Sequence, residues 1–347
     1  MEENTLPRGH LGISRRNILQ SRRMRGTRKI LTSKSGCTAG ITLALSLLLS
    51  LVVLCGCGQK IEGPEETPGG IAPPPNTYIL TYQWENFPGT TDIIVTVGGF
   101  VYVAQESSHV AAYTTFSPQR HPLIADLEGL VRPVLIAEGV GEQVYVADMG
   151  DTTVKKFARS GGAPIQVFSD TAWTAFGGIA ADKAGFLYVA DREREMIWKY
   201  TASGERDTSF GTGGVLSEGG EGVGYVRQPG GMCFDGVYLQ VADTGKDRVQ
   251  KLVPDEFAFG ILSIIGPSLE DPFQSPLDSA VDSDGNVYVA DTGNNRVLKY
   301  DSSGSLLVTV NWDPTVVIGP PPAVAAKDRW VYVADPQNSR ILIYELR

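Results

Sequence analysis

Histidine and cysteine are scarce in this 347-residue chain, with 3 and 4 copies. Their scarcity excludes a disulfide-stapled scaffold and leaves few soft ligands for a zinc site. Charged residues make up only 20%, but 42% are hydrophobic, enough for a core and too many for a disordered chain. The 40 glycines follow no three-residue period, which excludes a collagen-like rod. The longest apolar run, Ile41 to Leu54, falls short of a hydrocarbon core of roughly 30 Å at about 1.5 Å per residue. No window beyond it carries a sustained helical period, so helical solenoids are disfavoured.

The flanks of that run give it a role. Residues 1–36 hold 9 Lys+Arg against 2 Asp+Glu, and Cys55-Gly56-Cys57-Gly58 follows the run directly. Basic, apolar, then small residues is the order of a secretory signal, here residues 1–56, with Met24 offering a second start. Leu54-Cys55-Gly56-Cys57 resembles a bacterial lipobox. The resemblance implies lipid attachment at Cys57 and a chain anchored to the bacterial cell envelope, on its periplasmic or surface face. Ser14–Gln20 (SRRNILQ) looks like a twin-arginine export motif, but more basic residues follow it instead of an apolar run.

Beyond residue 56 remain 21 Lys+Arg and 37 Asp+Glu, a net charge of −16. Such a surface repels phosphate backbones, so nucleic acid is excluded as a partner. Two cysteines remain there, Cys57 and Cys233. No intrachain disulfide is expected, and Cys233, within GGMCF, reads as a small core residue. Residues 57–77 are rich in Pro, Gly and Glu and read as a tether holding the folded part off the membrane.

From residue 78 a pattern recurs six times. Its core is Val101–Ala104, Val144–Ala147, Leu187–Ala190, Leu239–Ala242, Val287–Ala290 and Val331–Ala334, mostly VYVA, with the fourth copy irregular around Tyr238. The spacing of 43 to 52 residues indicates a propeller or a solenoid. The clearest copy holds four short β segments, Ser279–Val281, Val287–Ala290, Arg296–Tyr300 and Leu306–Asn311, separated by turn residues. Four antiparallel strands per repeat predict a propeller blade. Val287–Gly304 (VYVADTGNNRVLKYDSSG) resembles the NHL repeat, and Ala242–Val249 and Ala334–Ile341 are similar to it. The resemblance covers residues 78–347 and implies an all-β, six-bladed NHL β-propeller.

Within the repeat an acid and an arginine recur. Asp243 with Arg248, Asp291 with Arg296, and Asp335 with Arg340 are expected to pair as structural latches across a tight loop. Asp148 and Asp191 keep the acid but face Thr153 and Met196, and the first copy has Gln105 and His109. The last copy ends at its third β segment, and a spare one, Thr77–Trp84, precedes the first. That spare segment is predicted to complete the last blade and close the ring, removing a sheet edge.

Reactive constellations are missing. His109 and His121 have no zinc-site spacing, no G-x-S-x-G occurs, and no P-loop is present, so no catalytic residue and no metal or other cofactor is assigned. The zinc site of the related amidating lyases needs several histidines that this chain lacks. Asp282–Asn286 (DSDGN) carries oxygen ligands, but Asp-Gly between strands is hairpin chemistry. Asp278 is a candidate channel carboxylate for the metal-dependent lactonase relatives.

Inter-blade links are expected at Glu85–Thr90, Arg120–Arg132, Phe168–Phe176, Asp207–Gln228, Phe257–Ser275 and Trp312–Pro322. They carry or border Trp84, Trp173, Tyr225, Phe273 and Trp312, candidate binding residues for a protein, peptide or glycan. The expected function is an exported, lipid-anchored binding or scaffold module. The alternatives are a metal-dependent lactonase or lyase with a channel site, and a purely structural envelope scaffold.

Overall fold

The structure is a computed structural model that describes residues 59–60, 76–107, 109–212, 214–216, 224–254, 261–266, 271–310 and 316–347. The signal and lipobox readings, Cys57 and Trp312 lie outside the described residues.

Each VYVA segment is the second strand of an antiparallel sheet, and the described residues form six such sheets, five of four strands and one of five. Blade 1 comprises Thr90–Val95, Val101–Gln105, His109–Thr114 and Ser117–Arg120. Blade 2 comprises Pro133–Glu138, Val144–Asp148, Thr153–Phe157 and Gln166–Ser169. Blade 3 comprises Phe176–Ala181, Leu187–Asp191, Met196–Tyr200 and Val215–Leu216. Blade 4 comprises Pro229–Phe234, Leu239–Asp243, Arg248–Leu252 and Ile261–Ile265. Blade 5 comprises Asp278–Val281, Val287–Asp291, Arg296–Tyr300 and Leu306–Thr309. First strands touch in blade order, and blade 6 returns to blade 1, so the ring is closed. The chain is a six-bladed β-propeller.

Blade 6 shows how closure is made. Val324–Lys327, Trp330–Asp335 and Arg340–Leu346 come from the C-terminal end, and the fourth strand is Tyr78–Glu85. Tyr78 pairs with Leu346 and Glu85 with Arg340. Two residues of the stretch read as a tether, Gln59–Lys60, add a fifth strand opposite Gln83 and Tyr82. The outer edge of Tyr78–Glu85 offers unpaired backbone groups, and a passing extended segment satisfies them.

The VYVA residues form strands because both their faces are buried between blades. Val144, Tyr145, Val146 and Ala147 are all wholly buried, as are Val287 through Ala290. β-Branched and aromatic side chains suit such a two-sided position. Two of the predicted links needed correction. Asp207–Gln228 holds the outer strand of blade 3, and Phe257–Ser275 holds that of blade 4. These outer strands are short and lie among glycine and polar residues, so they show little alternation.

The turn after each second strand has one backbone requirement. Thr152, Glu195, Asp247, Asn295 and Ser339 occupy the same place before the third strand, all with φ between 49° and 58°. Asn and Asp tolerate this left-handed region better than other side chains, which explains the Asn of the repeat motif.

Candidate functional site

The latch is larger than an ion pair. Arg248, Arg296 and Arg340 reach Asp243, Asp291 and Asp335 through Nε at 2.7, 2.6 and 2.7 Å. Each acid also accepts a backbone N–H from the link that enters its own blade. The donors are Arg227 at 2.6 Å, Gln274 at 2.7 Å and Gly319 at 3.2 Å. Asp148 receives the N–H groups of Val131 and Arg132, and Asp191 that of Thr174. The acid therefore fastens link to turn, and the arginine is one of several donors. In blade 2 Lys155 replaces it, 2.6 Å from Asp148. Burial opposes ionisation of Asp148, but Lys155 and three backbone N–H donors outweigh it and hold the carboxyl below its usual range. In blade 1 Gln105 donates to the Pro88 carbonyl instead.

Three of the five candidate binding aromatics are interior residues. Trp84 is fully buried and packs against Phe87, Tyr113 and Tyr332 at the seam between blades 6 and 1. Trp173 packs edge-on to Tyr200 between blades 2 and 3, and Phe273 does the same to Tyr300. They plug the wedge between neighbouring sheets because a link crosses that wedge and needs an apolar foot. Tyr225 is 37% exposed, and its carbonyl accepts from Arg248 and Gln250.

The histidines do not form a pair. His121 stacks edge-on to Phe100, and His109 contacts Arg120 and lies near Asp126. Asp282 is the capping acid of its hairpin: it accepts from the Asp284 and Asn286 N–H groups and from the Tyr288 hydroxyl. Its oxygens are thus committed to the protein. Among the described residues no three His, Cys, Asp or Glu side chains converge as metal ligands.

First strands of all six blades line a central cavity of about 910 Å³. Two carboxyls enter it from the same register position, Asp92 opposite Ala104 and Asp278 opposite Ala290. Each ties its blade to the next: Asp92 accepts from Ile136 N at 2.6 Å, and Asp278 from Val324 N at 2.9 Å. Burial pushes Asp278 up to about 7 against the Val324 and Ser279 N–H donors. Burial, and then the nearby charge of Asp278, push Asp92 well above the usual carboxylate range. Near neutral pH the pair therefore keeps a proton, and the cavity holds both O–H donors and carboxylate acceptors.

The rest of the wall follows from four glycines. A Cβ on Gly178 would lie 2.2 Å from the Gly230 carbonyl oxygen, and one on Gly231 would lie 1.9 Å from an Asp278 carboxyl oxygen. Side chains here would force blades 3, 4 and 5 apart. Arg192 sits over Gly177, and its Nε is buried without a hydrogen-bond partner among the described residues. Burial lowers its affinity for its proton. Phe176, Met232 and Phe234 supply apolar surface. Cys233, expected in the core, lines this cavity instead, 4.0 Å from the Ser279 hydroxyl, after a bulge between Pro229 and Met232 shifts the strand. Burial, then the Asp278 charge, raise its pKa, so the thiol is a poor nucleophile.

Comparison with known proteins agrees with this architecture. Residues 273–300, in and before blade 5, match the NHL repeat. No curated protein matches the chain in sequence. Among solved structures, a gluconolactonase from Xanthomonas campestris superimposes with a TM-score of 0.58 at 12% identity, covering 81% of this chain and 99% of that one. Virginiamycin B lyase from Staphylococcus aureus gives 0.55 at 12% identity, covering 78% and 100%. A nidogen/laminin complex chain gives 0.52 at 20% identity, covering 65% and 81%. At these identities the likeness is one of fold.

Proposed function

We propose that this NHL-repeat-bearing propeller is an exported, lipid-anchored binding module that holds the terminal sugar of a glycan in its central channel. One observation carries the reading: a buried carboxyl, Asp92, and a half-buried one, Asp278, at one register position of blades 1 and 5, sharing a cavity with an arginine nitrogen that has no hydrogen-bond partner among the described residues and with two phenylalanines. Sugar hydroxyls are both donors and acceptors, and they match a carboxyl pair that is itself partly protonated. Phe176 and Phe234 offer apolar faces for the ring. Loop aromatics are not part of the proposal, since three of the five are buried. Isothermal titration against envelope-type oligosaccharides tests it: binding that is lost in Asp92→Asn/Asp278→Asn with the fold retained supports it, and unchanged binding overturns it.

The enzyme reading rests on the raised pKa of each carboxyl in the same pair and on the fold shared with a lactonase and a lyase. A carboxyl near neutrality is suited to general acid–base work. Stoichiometric metal in the purified protein, together with turnover of a lactone, would favour that reading over simple binding.

A further inference from the structure

We infer that the seam between blades 6 and 1 is the face that lies on the lipid bilayer. The inference rests on the proposed lipid anchor at Cys57 and extends it to an orientation.

The first observation is how closely the proposed attachment point adjoins the folded part. Only Gly58 separates Cys57 from Gln59, and Gln59–Lys60 is a strand of blade 6. At roughly 3.5 Å per residue, Cys57 stands within about 7 Å of Gln59. The propeller is thus strapped close to its anchor through the outer edge of one blade, and the length of residues 61–75 does not set the distance. That edge must therefore face the membrane.

The second observation is what the edge displays. Lys60 pairs directly with Tyr82. The Tyr82 ring stacks on Phe116 at 5.4 Å and 23°, and Phe116 meets Trp330 at 4.5 Å. Tyr82 and Trp330 are half-buried in blade 6, and Phe116, 38% exposed, is in a turn of blade 1. The equivalent turns of blades 3 and 5 read Thr201-Ala202-Ser203-Gly204 and Asp301-Ser302-Ser303-Gly304. Those two turns carry no aromatic residue, whereas the blade 1 turn at the seam does. Val97, 80% exposed, lies at the same seam, where Lys327 of blade 6 donates to the Thr96 carbonyl.

The third observation is charge. Arg329 and Arg347, with side chains 62% and 54% exposed, flank Trp330 and share Glu345. Residues 57–347 carry a net charge of −16, and the two exposed arginines add positive charge at the seam that attracts anionic headgroups. Tyr and Trp with one apolar and one polar end are the residues that settle at a membrane interface.

The test uses the full chain purified from membranes with its native N-terminus. It is reconstituted into phosphatidylcholine vesicles with brominated acyl chains, in a Trp312→Phe background. Mass measurement of the N-terminal peptide reports acylation independently. The expected result is an acylated peptide and tryptophan emission quenched by bromolipid, with most of the quenching lost in Trp330→Phe and much of it lost in Phe116→Ser. Acylated protein whose emission ignores bromolipid, or whose quenching survives both substitutions, overturns the orientation alone and assigns the patch to residues 61–75 or to a second copy. A peptide without acyl chains removes the anchor and the orientation together.

Discussion

The hydroxyl of Tyr78 lies 2.8 Å from that of Tyr288, across 210 residues of sequence. Tyr288 also donates to Asp282 at 2.9 Å, and Lys299 donates to Tyr78 at 3.2 Å. The closing strand is therefore held from two sides, by the ladder of its own blade and by a buried polar network in blade 5. Tyr78→Phe and Tyr288→Phe are each expected to lose about 1–3 kcal/mol, because each leaves a buried partner unpaired. A double-mutant cycle by chemical denaturation should show that the two losses are not additive. Additive losses would mean that the hydroxyls are not coupled.

Removal of the closing strand altogether, residues 78–84, should give aggregated or unfolded protein. It would expose the edge of Arg340–Leu346 and uncover Trp84's neighbours Tyr113 and Tyr332. A deletion variant that is soluble with unchanged melting temperature would show that the ring closes without it.

The acids and arginines of the latch should not be equivalent. Asp335 is fully buried and serves Arg340, Asn338 and the Gly319 N–H. Asp335→Ala strands all three donors and is expected to cost about 3 kcal/mol or more. Arg340→Ala leaves the acid its other donors, so its cost should be smaller, near about 1–2 kcal/mol. Thermal unfolding of the two variants decides the order.

The channel carboxyls give stability a pH dependence of known sign. Asp278 titrates at about 7 in the folded chain, against an ordinary value of 3.8. Below 3.8 both states hold the proton, and no penalty exists. As pH rises toward 7 the unfolded state releases its proton more readily, so folding stability falls through that window and levels off above it. Asp278→Asn keeps an acceptor for the Val324 N–H and should flatten this fall, leaving the variant more stable than its parent on the alkaline side. Melting temperatures on both sides of the window check the prediction.

Trp173→Ala should cost about 3–5 kcal/mol, the range for emptying a buried aromatic site. Its ring is 5% exposed and wedged against Phe176 and Tyr200. A variant with parental stability would place that ring outside the core.

The period of the VYVA segments and the spare leading strand were legible in the sequence because they are properties of pattern. The repeat spacing, the two-sided burial of Val287–Ala290 and the turn residues all report the blade directly. The outer strands at Val215–Leu216 and Ile261–Ile265 were not legible, since they lie within long glycine-rich and polar links that show no repeat of the VYVA pattern. Trp84, Trp173 and Phe273 lie near loops in sequence, and position along the chain does not report depth in a wedge. Asp278 was visible as a channel acid, but its partner Asp92 was not: the two come together only because six first strands share an axis. The double glycines at 177–178 and 230–231 were the available signal for that close approach.

Arg340 and Gln83, hydrogen-bonded across the closing pair, are 257 residues apart. The closing strand Tyr78–Glu85 is synthesised early and must consequently wait until nearly every other segment has been made. Throughout that interval it is a donor without a recipient, and a neighbouring copy at the same stage presents an identical vacancy. Crowding of nascent chains therefore invites exchange of leading strands between molecules.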